Sequence, residues 1–423
     1  MVTSTSPAAP VDLAALNRSL DGAGEIREAG PDDMVDGVPA SAVARPSSVA
    51  ALSALLREAT GQGLVTVARG AGTAMSWGNP PERADLLLET TALDRLVEHE
   101  AGDLVVVAQA GLAMRDLQER VGRAGQELVA DLPPERLAAG STVGGALATG
   151  PSGPRRLQRL ALRDLVLGAT VVLADGTVTA SGGKVVKNVA GYDLAKLMTG
   201  SLGTLGVIVQ AAFRLHPARP ERATVTRAGP TEEVARLARQ VVASQLAPAA
   251  VELDRAAGSD QATLAVLLEG THDAVRSRSA EAAALVGGEV GEAPPSWWAR
   301  MPGGDVTAKA TATLTGVSDL LRTARAAEQE HGAAVAVRGS AVGVLHLGIT
   351  APDPAAVAAV VGRLRAAAPS AREGTVTVLV APPELRAGLD AWGPVAGLDL
   401  MRSIKNQLDP GRNLAPGRFV GGI

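Results

Sequence analysis

The chain contains no cysteine. That excludes disulfides, thiolate zinc sites, cysteine nucleophiles and cysteine-held iron–sulfur clusters, so any cluster in an associated electron-transfer chain must sit on another polypeptide. Aromatic residues are scarce, at 4 Trp, 1 Tyr and 2 Phe. Of the 40 cationic residues only Lys184, Lys187, Lys196, Lys309 and Lys405 are lysines. A drift toward Ala, Arg and Gly accounts for most of this bias, yet three of those lysines and the sole tyrosine, Tyr192, fall between positions 184 and 196. No apolar run reaches the roughly 20 residues that span a bilayer; the stretch around Leu104–Met114 is too short, and Arg338 interrupts Ala333–Ile349. Charge of neither sign dominates: 40 Lys+Arg against 44 Asp+Glu leaves −4, with no basic footprint for nucleic acid. The opening MVTSTSPAAPVDL lacks the basic and apolar regions of a secretory signal. Together these absences predict a cytoplasmic protein that binds no nucleic acid and meets a membrane only peripherally, at its inner face and through partners.

Familiar catalytic signatures are missing as well. Gly182-Gly183-Lys184-Val185 lacks the upstream Gly and the following Ser/Thr of a phosphate-binding P-loop. Gly70-Ala71-Gly72-Thr73 has two glycines of a Rossmann fingerprint but not the third. The histidines (His99, His216, His272, His331 and His346) show no ligand spacing, so no metal site is expected, and His346 reads as a satisfied strand histidine. No Gly-x-Ser-x-Gly elbow supplies an acyl-transfer nucleophile.

What is present is a long, core-rich chain of 423 residues, 46% hydrophobic and 20% charged, which implies two or three domains. In the first half, strands and helices interleave. Val49, Leu52, Leu55 and Leu56 follow a Ser cap, Leu64–Ala68 is a strand entering a glycine loop, and Asp85–Glu89 and Leu104–Ala108 are further strands. Leu165–Ala174 and Thr177–Ala180 form a hairpin whose Asp175-Gly176 predicts a type I′ turn. Arg163 and Asp164 are expected to form a structural ion pair. From about 221 the order strand, helix, strand, strand, helix occurs and then partly recurs, suggesting a duplicated ferredoxin-like sheet with helices on one face. The class is α+β.

Several glycine loops follow strands or open helices, a geometry that gathers backbone N–H groups around an anion such as phosphate. Their order carries a resemblance. Arg69-Gly70-Ala71-Gly72-Thr73, then Ser76-Trp77-Gly78, Gly140-Ser141-Thr142-Val143-Gly144-Gly145, Ser152-Gly153-Pro154-Arg155-Arg156-Leu157 and Arg163–Gly168 resemble the flavin domain of the vanillyl-alcohol oxidase type. Gly182–Leu194 with Gly200–Gly206, and the tail Asp409–Arg418, are similar to the FAD-binding subunits of bacterial glycolate oxidases.

The resemblance implies FAD laid between two α+β subdomains, under a ferredoxin-like cap. It divides the chain into a loose tail (1–40), an FAD-binding domain (41–220), a cap or substrate domain (221–390) and a C-terminal segment returning to the FAD domain (391–423). Arg69, Gly70, Ala71, Gly72 and Thr73 would wrap the pyrophosphate. Gly140, Ser141, Thr142, Gly144, Gly145, Ser152 and Gly153 would continue the site. Gly203, Thr204, Gly206, Val207 and Ile208 would meet the adenosine side. With no Cys, and no His in the 69–78 loop, FAD is expected to be non-covalent. Lys184, Lys187 and Tyr192 are expected near the flavin or at a domain interface, and Tyr192 is a candidate catalytic base.

The activity implied is oxidation of glycolate, or a related 2-hydroxy acid such as D-lactate, by hydride transfer to FAD, beside a paralogous flavin subunit and an iron–sulfur subunit. The catalytic relatives carry a His-x-Gly-Asp-Gly-Asn-x-His metal motif that His346-Leu347-Gly348-Ile349 does not match. Two alternatives therefore stand beside that activity: an electron-relaying or non-catalytic flavin subunit, and a stand-alone FAD oxidoreductase acting on another alcohol. Trp297 and Trp298 either anchor a partner or fill the cap core.

Overall fold

The computed structural model describes residues 11–184, 193–367, 374–386 and 388–423. Order begins earlier than the expected loose tail allows. Helix α1 (Leu13–Ser19) is capped by Asp12, whose carboxylate accepts from the Ala15 N–H at 2.9 Å. Strand β1 (Gly24–Glu28) pairs antiparallel with β2 (Ala42–Pro46). The reason is burial: Leu16 and Leu20 pack into the same core as Leu52, Leu55 and Leu56 of α2 (Val49–Gly61), an apolar stripe that a free tail would leave in water.

Strands β3 (Thr66–Arg69) and β4 (Leu86–Glu89) complete a first sheet in the order β1-β2-β4-β3. A second, wholly antiparallel sheet uses β5 (Leu96–Glu100), β6 (Val105–Gln109), β7 (Val166–Val172), β8 (Val178–Gly182) and β9 (Val207–Arg214), ordered β8-β7-β9-β6-β5. Helices α3 (Met114–Gly122), α4 (Pro134–Ala138), α5 (Val143–Thr149), α6 (Arg156–Arg159) and α7 (Leu194–Met198) connect its strands.

Two local expectations are corrected. The β7–β8 turn is not type I′: Gly176 alone is left-handed (φ 82°), and Leu173 N–H reaches Thr177 O across a three-residue loop. Asp175 avoids positive φ by accepting from Thr177 N–H at 2.8 Å, as an Asx turn does. Asp164 does not pair with Arg163; its carboxylate accepts from the Ala161 N–H at 3.1 Å and closes a helical turn.

The cap comprises β10 (Glu221–Pro230), α8 (Thr231–Ala243), β11 (Ala250–Arg255), β12 (Gln261–Gly270), α9 (His272–Val286) and β13 (Glu289–Gly291). It then repeats the pattern as β14 (Val306–Ala312), α10 (Gly316–His331), β15 (Ala334–Ser340), β16 (Val344–Thr350), α11 (Pro354–Ala366) and β17 (Gly374–Val380). The eight strands form one sheet, β13-β10-β12-β11-β15-β16-β14-β17. Each half has the ferredoxin strand order, and the halves join through their second strands, β11 and β15. The helices bury one face over Val251, Leu253, Val335, Val337, Leu345 and Leu347, while alternate residues of the same strands point the other way. Strand β15 continues through Arg338, because Asp254 on β11 receives Arg338 Nε at 2.7 Å and makes a charge tolerable there.

An ion-pair cluster joins the two layers of the molecule. Arg155 reaches Asp131 (2.7 Å), Glu127 (2.7 Å) and, on cap strand β12, Glu269 (3.4 Å); Arg159 meets Glu269 at 3.2 Å. The chain ends in α12 (Leu398–Leu408) and an extended stretch that bridges Leu414 to Thr66 of β3. Among the described residues no helix is long and apolar enough to cross a membrane.

Candidate functional site

Strand β3 delivers its chain into the loop 69–75, which faces the start of α5 and the loop 202–208 across a cleft. The approach is close: a Cβ on Gly70 would fall 2.3 Å from Thr142 Oγ1, and Gly72 turns the loop at φ 74°. Thr142 is held in place as the cap of α5, accepting from Gly145 N–H at 3.2 Å. The walls are therefore largely backbone, which lets a ligand come within reach of N–H groups. Of the residues expected here, Arg69 to Thr73, Thr142, Gly144, Gly145, Gly203, Gly206, Val207 and Ile208 line this cradle. Gly140 and Ser141 lie behind it, Ser141 Oγ 3.2 Å from Thr73 Oγ1. Thr204 turns its hydroxyl inward to Ser201 O and is fully buried.

Charge in the cradle does not come from where the sequence put it. The Arg69 guanidinium is occupied by Asp33 (2.9 Å) and Glu89 (2.6 Å). Two cations that sequence reasoning missed line the cleft instead. Arg418 donates to Met75 O and Trp77 O, and Arg136 lies 4.7 Å from the Trp77 ring centroid and donates to Thr149 Oγ1 at 3.3 Å. Both keep buried N–H groups without a partner, Nε of each and Nη1 of Arg136. Burial pulls both guanidinium pKa values down to about 10, yet both stay charged at neutral pH.

Thr149 and Leu202 are shared with a second cavity of about 260 Å³, between the flavin-type layer and the cap. Ser152 and Gly153 line this chamber rather than the cradle, and Arg156 donates to Ser152 Oγ at 2.8 Å. Its ceiling is the helix-free face of the cap sheet. Register places Asp254, Arg338, His346, Lys309 and Thr377 side by side across five strands, with Glu252 and Ser340 one pair further along. Burial holds the His346 imidazole down to about 4, helped by the Lys309 charge, so it is neutral near pH 7. Lys309 is lowered too, by burial and then by Arg156. Glu252 is pushed well above the carboxylate range by burial, with Asp131 adding; its Oε1 and the neighbouring Ser340 Oγ have no partner. Among the described residues no protein group hydrogen-bonds His346 or Lys309, and both line the chamber. The signal for this row was a polar residue at every second position of otherwise apolar strands, as in Val251-Glu252-Leu253-Asp254 and Leu345-His346-Leu347.

Other candidates lie elsewhere. Tyr192 and Lys187 fall outside the described residues. Lys184 pairs with Glu98 and lines neither cavity. Trp298 packs on Ala249, Ala250 and Leu267, and Trp297 lies 5.9 Å from the Arg338 guanidinium, so both serve the cap. A cradle of closely approached backbone with two buried, incompletely paired arginines suits a diphosphate-bearing dinucleotide.

Comparison with known proteins agrees. The "FAD binding domain" family matches residues 40–182. D-lactate dehydrogenase of Archaeoglobus fulgidus is 35% identical over 210 residues, 50% of this chain and 46% of that protein. Glycolate oxidase subunit GlcD of Bacillus subtilis is 30% identical over 227 residues (53% and 47%). Subunit GlcE of Escherichia coli is 37% identical over 122 residues (29% and 34%). The matched part thus spans about half or less of each relative. Among solved structures, p-cresol methylhydroxylase with substrate bound superposes with a TM-score of 0.71 at 13% identity, covering 97% of this chain and 98% of that one. Residues 40–182 thus match an FAD binding domain, and the chain has the two-layer-plus-cap fold of the vanillyl-alcohol oxidase and p-cresol methylhydroxylase type.

Proposed function

We propose that this chain is an FAD-dependent oxidoreductase that converts a small 2-hydroxy acid, of the glycolate or D-lactate class, to the 2-oxo acid. The observation that carries the reading is the chamber itself, which adjoins the flavin cradle on one side and the row Lys309, His346 and Glu252 on the other. When bound, FAD supplies the acceptor for the hydride that leaves the substrate α-carbon. Lys309, a cation with no other partner, takes the substrate carboxylate. Binding that carboxylate favours the charged amine, against the burial that lowers its pKa. His346, neutral and facing the cavity, accepts the hydroxyl proton; Glu252, whose carboxyl burial drives toward its protonated form, donates a hydrogen bond to a substrate oxygen. Sequence similarity to proteins named D-lactate dehydrogenase and glycolate oxidase supports the substrate class. The FAD is held without a covalent bond: the chain has no Cys, and no His among the described residues lines the cradle.

A second reading has its own observation. Relatives on both sides of the comparison are named as glycolate oxidase subunits, GlcD and GlcE. On it, the chain works inside an assembly in which a paralogous flavin subunit oxidises substrate and an iron–sulfur subunit takes the electrons. The experiment is an anaerobic titration of the FAD-loaded chain with glycolate, D-lactate and D-2-hydroxyglutarate, followed by flavin absorbance. Bleaching by one of them supports the first reading. Flavin that stays oxidised with all three, and bleaches only when partner subunits are added, supports the second.

A further inference from the structure

The cradle contains one charged group whose role the fold does not explain. Arg136 is 7% exposed, and of its five N–H donors only one, on Nη2, has a partner, Thr149 Oγ1 at 3.3 Å. Its Nε and Nη1 are buried and unpaired. No described carboxylate forms an ion pair with it; its sequence neighbour Glu135 turns outward to Arg300. Leaving a buried guanidinium so poorly matched is costly, and folding alone gains nothing from it. Its orientation is nonetheless fixed, by the Trp77 ring on one side and Thr149 on the other. The first cation of the glycine loop, Arg69, is spent on Asp33 and Glu89, so the cradle's free positive charge rests on Arg136 and Arg418. Arg418 already serves two backbone carbonyls.

We propose that Arg136 is the side chain that binds the dinucleotide's diphosphate, its guanidinium turning to pair with phosphate oxygens while the glycine N–H groups supply the remaining donors. A planar fork matches two phosphate oxygens at once, which a backbone N–H cannot do. The inference rests on the FAD reading of the cradle and is independent of the substrate.

The test is affinity of the full-length apoprotein for FAD, for ADP and for riboflavin, in the wild type and in Arg136→Gln and Arg136→Lys. For Arg136→Gln, FAD and ADP binding should weaken by about 10- to 100-fold, the loss expected for charge-assisted hydrogen bonds. Riboflavin binding, which involves no phosphate, should not change, and Arg136→Lys should fall between. The thermal midpoint of apo Arg136→Gln should equal or exceed that of the wild type, since an unpaired buried charge is removed. Equal losses for riboflavin and FAD would place Arg136 at the ring and overturn the proposal. Unchanged affinities with a lower apo midpoint would make it a structural partner of Trp77 and overturn it too. Failure of the wild type to bind FAD or ADP would instead sink the cradle reading itself.

Discussion

Replacing Lys405 by Met should detach the C-terminal segment from the flavin cradle. Lys405 is 2% exposed and Asp409 is 0% exposed. The ammonium donates to Asp409 Oδ2 (2.6 Å), Thr204 O (2.7 Å) and Leu414 O (2.9 Å). Asp409 in turn accepts the N–H groups of Asn413 (2.9 Å) and Leu414 (2.8 Å), which form the turn that lays Leu414 against β3. Methionine fills the volume but leaves a buried carboxylate without its countercharge and two carbonyls without their donor. Removing one member of such a pair costs about 3–5 kcal/mol. At about 2–4 °C per kcal/mol for a domain of this size, the first thermal transition should fall on the order of 10 °C. Because Thr204 lies between Gly203 and Gly206 of the cradle wall, FAD affinity should fall with it. The assay is a circular-dichroism melt of the apoprotein with a parallel FAD titration. Adding Asp409→Asn removes the stranded charge and keeps an acceptor, so the double variant should recover part of the loss. A Lys405→Met midpoint within about 2 °C of wild type, or a double variant no better than the single one, would refute the reasoning.

Further outcomes follow from other parts of the molecule. Gly70→Ala sets a Cβ 2.3 Å from Thr142 Oγ1 and should weaken FAD binding at least tenfold; adding Thr142→Ala should recover most of it, and a double variant no better than Gly70→Ala would exclude the clash as cause. His346 titrates near 6.5 when unfolded and at about 4 in the fold, so between those values the native state holds fewer protons and stability falls as pH drops. Relative to His346→Gln, the wild type should lose at most about 3 kcal/mol across that window in denaturant titrations, less where chamber water screens the ring; parallel pH profiles would contradict this. Arg155→Met strands Asp131 and Glu127 and leaves Glu269 to Arg159 alone at the seam with the cap, so limited proteolysis near residues 214–221 should accelerate. Arg123→Ala, which removes only an exposed pair with Glu119, should leave the digestion pattern alone.

How far the sequence could be read depended on whether a feature was local. The ferredoxin repeat was legible because each strand and helix carries its own period, and Asp353-Pro354 marks the start of α11 as a cap followed by proline should. The glycine loops were legible because close backbone approach demands glycine at fixed positions such as Gly70. The cap row was not, since Glu252, Lys309, Arg338 and His346 come from four strands and meet only through register. Arg136 was hidden in the same way: nothing in Pro133-Pro134-Glu135-Arg136 reveals that Trp77 and Thr149 will hold it. The ordering of residues 13–28 was missed because Leu16 and Leu20 form a stripe only once α2 is there to receive it.

The most direct test of the proposed chemistry is an anaerobic single-turnover experiment on the FAD-loaded chain, comparing glycolate with its α-deuterated form. Flavin reduction by both, slower for the deuterated acid, is the expected result, because the α-carbon hydrogen leaves in the chemical step. Flavin that remains oxidised with glycolate, and likewise with D-lactate and D-2-hydroxyglutarate, would contradict the assignment of the chamber as a 2-hydroxy acid site.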